Sequence, residues 1–270
     1  FLGGLMGDVV TDLVQGGVLL IGLVALLVAV IDAAGGAGPA LASIESWQLR
    51  FVAPDESFWT RVDVWAVPIV GSLVSQEALS RMMAARSPSV ARRATFAASG
   101  LYLTVGLVPV VIALIGTHLA PELEHRDAFL PTLAQQLLPP ALFVVLIGAL
   151  VSAILSTVDS TLLTIASFVS HTFVVARRPH MSEAAKVRVS RLMVVIAGIA
   201  ATIVAGSGST ILDLVVLASS FGTAGVLVVV VVGLWSRRGG PRTAAATLIV
   251  GATVTVVGAR VPAIEAPFLL

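Results

Sequence analysis

The chain has 270 residues, 57% of them apolar and only 11% charged, with no cysteine and a formal net charge of +1. Soluble domains carry about 25% charged residues, so this composition, with a mean hydropathy of +1.04, predicts an all-α integral membrane protein embedded in a lipid bilayer. It excludes disulfide frameworks and thiolate metal sites, and with no basic patch interleaved with aromatics it offers nothing to a nucleic acid.

In chain order, the first residue is Phe1 rather than Met. No basic n-region with a short apolar core follows it, so residues 1–270 read as a single transmembrane domain, a fragment whose N-terminal part is missing. Runs of around 20 apolar residues recur, the length that crosses a bilayer as helix. Seven spans are predicted, at about Val9–Ile31, Val64–Ser80, Ala94–Thr117, Pro140–Val175, Val187–Ala205, Ile211–Trp235 and Ala244–Ala259. The loop after the first holds Trp47, Arg50, Pro54, Asp55 and Glu56 and a short interfacial helix. Pro121–Leu138 reads as an extramembrane helix leading into Pro139-Pro140, since proline is tolerated in a first helical turn. The fourth span is too long for one crossing and is expected to overhang on the intracellular side.

Twelve of the 16 Lys and Arg fall in three loops that alternation places on one side. They are Arg81, Arg86, Arg92 and Arg93; Arg177, Arg178, Lys186, Arg188 and Arg191; and Arg237, Arg238 and Arg242. By the positive-inside rule that side is cytoplasmic, so the first span begins inside, with Asp12 near its inner end, and the fourth runs from outside to inside. A multi-pass cell-membrane protein follows, and the excess of Arg over Lys with abundant Ala and Val fits a GC-rich bacterium and its inner membrane.

The fourth span carries the chemistry. Ala153, Ser156, Ser160, Thr164, Ser167 and His171 recur at steps of three or four, with Thr157 beside Ser156, so on a helix they form one stripe. Asp159 sits beside it in the middle of the apolar run, where a carboxylate must face protein or water. Ala153, Ser156 and Thr157, at i, i+3 and i+4, can aim one carbonyl and two hydroxyls at a common point, the oxygen donors a small hard cation takes. The same spacing equally lets two helices approach closely. Elsewhere, Ser219 to Gly225 interrupts the sixth span as a gating kink or a close-packing patch, and Asp213 sits near the outer end of that span. The four His residues show no ligand spacing, and no nucleophile–base pair, nucleotide loop or metal-hydrolase motif appears, so no enzyme is expected.

The run Ser152-Ala153-Ile154-Leu155-Ser156-Thr157-Val158-Asp159-Ser160-Thr161-Leu162-Leu163 resembles the eighth core helix of the sodium/solute symporter family. Gly3-Gly4-Leu5 with Thr11-Asp12 and Gln15 looks like that family's fifth core helix. Arg81 to Arg93 resembles its basic loop after the sixth, and Gly233-Leu234-Trp235 with Arg237-Arg238 the end of its tenth. The resemblance implies an inverted-repeat fold of the leucine-transporter type, with this chain holding core helices five to eleven and lacking one to four. It also implies Na⁺ as coupling ion and a small-molecule solute as partner. By position, Ala153, Ser156 and Thr157 match ligands of the principal sodium site. Asp12, Asp159 and Ser160 match a second cation site found in some members, where the carboxylate of Asp159 replaces a hydroxyl and favours a proton instead.

Gln76 and Glu77 lie in the counterpart of the solute-lining sixth core helix, although Glu77 is also placed for an ordinary i,i+4 pair with Arg81. Asp12 equally fits a helix N-terminus favoured by the helix dipole, and Asp159 a structural hydrogen bond. The function implied is sodium-coupled symport of a small organic solute by alternating access. The rivals are a solute-sensing domain of a transporter-like histidine kinase and proton-coupled symport through Asp159.

Overall fold

The computed structural model describes residues 4–53, 56–119, 126–175, 177, 180–206, 210–211, 214–215, 223–236 and 239–258. Among the described residues it is helical without a strand. The helices are α1 (Gly4–Ala33), α2 (Ala37–Ala42), α3 (Phe58–Leu73), α4 (Gln76–Met83), α5 (Pro88–Gly116), α6 (Phe129–Leu137), α7 (Pro140–Val169), α8 (Glu183–Ala205), α9 (Thr223–Trp235) and α10 (Pro241–Gly258).

Local chemistry explains many of the ends. Ser57, Ser75, Ser87 and Ser182 each accept a backbone N–H from the first turn of the helix that follows, from Trp59, Ala78, Val90 and Ala185, satisfying donors that have no partner within the helix. Pro139 precedes α7 in extended backbone and Pro140 occupies its first turn, as its missing donor allows. At the far end of α1, Gly35 and Gly36 take positive φ, and their N–H groups reach the Asp32 and Ile31 carbonyls. That is a Schellman closure, which needs glycine at the left-handed position.

Four described helices are long and apolar enough to cross a membrane: Val10–Ala33, Pro88–Gly116, Pro140–Val169 and Glu183–Ala205. They correspond to the first, third, fourth and fifth expected spans. The second, Val64–Ser80, is not one helix. α3 carries Pro68 within it and stops at Leu73, and after Val74 the backbone restarts at Ser75, the cap of α4. At 16 residues α3 spans about 24 Å. The sixth is described at 211, 214–215 and from Thr223 to Trp235, so Asp213 and Ser219 to Gly222 lie outside the described residues; the seventh matches α10. The extramembrane helix is described as a 3₁₀ turn, Arg126–Ala128, running into α6, and α7 continues into a π turn, Ser170–Val175.

The chain divides into two units, with the boundary inside α5. The first comprises 1–44 and 104–208. Its core is Leu26 and Val30 of α1, Ala40 of α2, Ile112 and Ile115 of α5, Leu133 and Ala134 of α6, Leu138, and Leu146 of α7. Gly116 allows α5 to approach α6 closely, since a Cβ there would stand 2.6 Å from Leu133 Cδ1. α7 and α8 run antiparallel: Leu162 meets Gly198, and Ser170, fully buried, hydrogen-bonds Ser190 at 3.0 Å.

The second unit, 45–103 and 209–270, packs α9 against α10 and α3. Gly225 brings α9 against the α10 backbone, its Cβ position only 3.0 Å from Leu248 Cα and the Thr247 carbonyl. Of the two readings of the Ser219–Gly225 run, Gly225 thus takes close packing.

Candidate functional site at the polar end of the α1–α7 seam

α1 presents Asp12, Gln15, Leu19, Gly22, Leu26 and Val30 on one face, at steps of three or four. α7 answers with Leu146, Ala149, Ser152 and Ser156. Gly22 lies against Leu146, whose Cδ1 is 2.7 Å from where a Cβ would stand. Gln15 Nε2 donates to Ser152 Oγ at 2.7 Å, and Ser156 Oγ donates to Asp12 Oδ1 at 3.0 Å. Numbers rise along α1 as they fall along α7, so the helices are antiparallel, as alternation requires of a first and a fourth span. The seam is apolar and tightly packed at the Gly22–Leu146 end and polar at the Asp12–Ser156 end. About 15 Å of helix separates Asp12 from Gly22.

Among the described residues, the polar end presents oxygen acceptors and neutral donors. Thr157 Oγ1 donates to the Ala153 carbonyl at 3.0 Å, the usual back-bond of a helical threonine to the carbonyl four residues earlier, and α7 is continuous through this turn. Ser156 directs its hydroxyl into the seam toward Asp12. Asp12, Gln15, Ser152, Ala153 and Ser156 are half-buried, while Thr157, Asp159 and Ser160 are exposed. A hydroxyl that donates its proton keeps its lone pairs, so both Ser156 and Thr157 remain able to face a cation. Among the described residues, no three of His, Asp and Glu stand together as a metal cluster would need. The donor set of hydroxyls, carbonyl and one carboxylate suits a hard monovalent ion.

The residues expected to form a second site diverge. At 3.6 residues per turn, Asp159 stands about 60° round the helix from Ser156 and about 160° from Thr157. Ser160 turns its hydroxyl back to the Thr157 carbonyl at 3.0 Å. Asp12 is brought to Ser156, a member of the first set. Gln76 and Glu77 begin α4 immediately after the break at Val74–Ser75; their side chains, with that of Arg81, lie outside the described residues, as does the side chain of His171.

Two groups were not singled out from the sequence. Ser152 and Gln15 join across the seam; the signal was a polar pair one turn apart at the same end of each otherwise apolar face. Asp63 of α3 is the acidic side chain buried among the described residues, only 8% exposed, and its signal was a carboxylate one turn before Val67 and Pro68 in an apolar helix.

The chain is 25% identical over 268 residues to the sodium/pantothenate symporter of Haemophilus influenzae, covering 93% of this chain and 54% of that protein. It is 26% identical over 176 residues to the sodium/pantothenate symporter of Escherichia coli, covering 60% of this chain and 34% of that protein. The chain thus spans about half the length of the first relative and a third of the second. No solved structure matches it significantly. The family model described as "Sodium:solute symporter family" matches residues 1–251, and the chain belongs to that family.

Proposed function

We propose that the protein is a sodium-coupled symporter of a small organic solute, working by alternating access in a bacterial inner membrane. The observation that carries this is the Ser156–Asp12 hydrogen bond beside the Ala153–Thr157 pair. It sets the Ser156 hydroxyl against a negative charge in the helix seam, with the exposed Thr157 hydroxyl about 100° round α7. Ala153, Ser156 and Thr157 would hold Na⁺, and Asp12 supplies charge that offsets the loss of hydration. Asp159 and Ser160 stand on the same helix as a second cation or proton position. Gln76 and Glu77, just beyond a helix break, would meet the solute, as residues of discontinuous helices do in transporters.

The architecture proposed with this function has seven crossings, basic loops in the cytoplasm and part of an inverted-repeat bundle. The remaining core helices come from the rest of a longer protein, which the half-length coverage of the relatives supports. Cation binding at the α1–α7 seam stabilises the conformation that accepts solute, and the inward Na⁺ gradient drives the coupled step. No covalent step is required of any residue.

The relatives' names make pantothenate the first solute to try. In proteoliposomes of the full-length protein, an imposed Na⁺ gradient at fixed pH is expected to drive pantothenate uptake. Ser156→Ala and Thr157→Ala should each raise the Na⁺ concentration for half-maximal uptake about tenfold, the equivalent of roughly 1.4 kcal/mol. Unchanged Na⁺ dependence in both variants would remove the site, and uptake driven equally well by a proton gradient without Na⁺ would replace the coupling ion.

A further inference from the structure

We propose that Gln15 is a positioning residue for the cation site, fixing through Ser152 the turn of α7 that carries Ala153 and Ser156. The role presupposes the sodium site proposed above. Gln15 follows Asp12 by three residues on α1, and Ser152 precedes Ser156 by four on α7. The Gln15–Ser152 bond at 2.7 Å and the Ser156–Asp12 bond at 3.0 Å are therefore two rungs across one seam, about a turn apart. One rung alone leaves α7 able to pivot about it; two rungs set both the rotation of α7 and its slide along α1.

The chemistry of the rungs makes the second one necessary. Ser156 has one hydroxyl proton and directs it to Asp12, so its lone pairs point wherever the helix turn points them. The next turn toward the apolar end holds Ser152, adjacent in sequence to Ala153, whose carbonyl takes the Thr157 hydroxyl. Fixing Ser152 therefore fixes the start of the turn whose carbonyl and hydroxyls make the site. Stability does not explain the pair. Interhelical hydrogen bonds in membranes contribute little, because the separated helices find other partners, and a carboxamide in an apolar seam is costly unless bonded. Leucine at position 15 would continue the apolar face of Leu19 and Leu26 at no such cost. Partners that orient a ligand without touching the ion govern affinity through geometry.

The test is binding of radioactive Na⁺ to the purified full-length protein, with melting temperature in K⁺ recorded for every variant. Gln15→Leu and Ser152→Ala should each weaken Na⁺ binding about tenfold, Gln15→Leu at a melting temperature close to that of the parent and Ser152→Ala at a lower one, since it leaves the carboxamide without its partner. The combined Gln15→Leu, Ser152→Ala variant should be no weaker than either alone, since both remove one bond. The exchange variant, Gln15→Ser with Ser152→Gln, rebuilds the rung with its ends reversed and should recover affinity. Undiminished Na⁺ binding in Gln15→Leu, while Ser156→Ala loses it, overturns the role of Gln15 and leaves the site standing. Undiminished binding in Ser156→Ala removes the site itself and Gln15's role with it. Should Gln15→Leu not fold, the exchange variant decides: parental affinity supports the proposal, and a folded protein with weakened affinity overturns it.

Discussion

The two ends of the α1–α7 seam share their helices and differ in what fills the space between them. At one end Gly22 receives Leu146, with Leu26, Val30 and Leu146 fully buried in the core. At the other, Asp12, Gln15, Ser152 and Ser156 are half-buried and joined by two hydrogen bonds. Magnitudes separate their purposes. Emptying a packed leucine site costs about 2 to 5 kcal/mol, and the cavity part of that cost persists in lipid. An interhelical hydrogen bond within a membrane averages about 0.6 kcal/mol. An end built for adhesion alone would repeat the glycine-and-leucine solution. The polar end gives up stability for a cluster of oxygens, an exchange that the proposed cation site would account for.

The largest effect should come from the apolar end. Leu146→Ala is expected to lower unfolding free energy by the cavity part of that cost, about 1 to 3 kcal/mol, while the protein that remains folded keeps its parental Na⁺ dependence. Denaturation in detergent, with uptake measured in parallel, checks both halves; a shifted Na⁺ dependence would show that the ends are not separable. Next, Gly22→Val places carbon where Leu146 Cδ1 and Cβ stand within 2.7 and 3.1 Å of a Cβ. Overpacking of this kind costs about 1 to 3 kcal/mol, again without a specific loss of Na⁺ affinity, which the same pair of assays reads.

The polar end should behave in the opposite way. Asp12→Asn keeps an acceptor for the Ser156 hydroxyl and removes the charge, whereas Asp12→Ala removes both. Stability should change in either variant by no more than about 1 to 2 kcal/mol, the upper range for such bonds. Na⁺ affinity should fall in the order parent, Asn, Ala. Equal affinities for Asn and Ala would mean that the hydrogen bond to Ser156 does nothing for the ion, and that charge alone acts.

Much of this fold was legible in the sequence, because apolar runs and flanking punctuation report crossings directly. α1, α5, α7 and α8 lie close to their expected bounds, and Pro140 opens α7 as expected. The break between α3 and α4 was missed. Read from the sequence, Gln76 and Glu77 fall inside one span, although Ser75 as a cap and Pro68 are visible signs of a helix that stops and restarts. The stripe on α7 was legible through its period, but its direction was not. Periodicity shows which residues share a face, and only the register between helices shows what the face meets. Hence Asp12 was assigned with Asp159 and Ser160, whereas the antiparallel register brings it to Ser156. The same register joins Gln15 to Ser152, a pair separated by 137 positions and invisible to any local pattern.

The central claim is that the ion binds at the polar end and that the packing end only holds the helices together. Thermal unfolding of the full-length protein in matched Na⁺ and K⁺ tests it most directly, since a ligand that binds only the folded state stabilises it by about 2.7 kcal/mol at one hundred times its dissociation constant. The account predicts that Na⁺ raises the melting temperature of the parent and of Leu146→Ala, the latter from a lower baseline, and raises that of Ser156→Ala only about half as much, as a tenfold weaker site requires. A Ser156→Ala protein that gains as much from Na⁺ as the parent would contradict it.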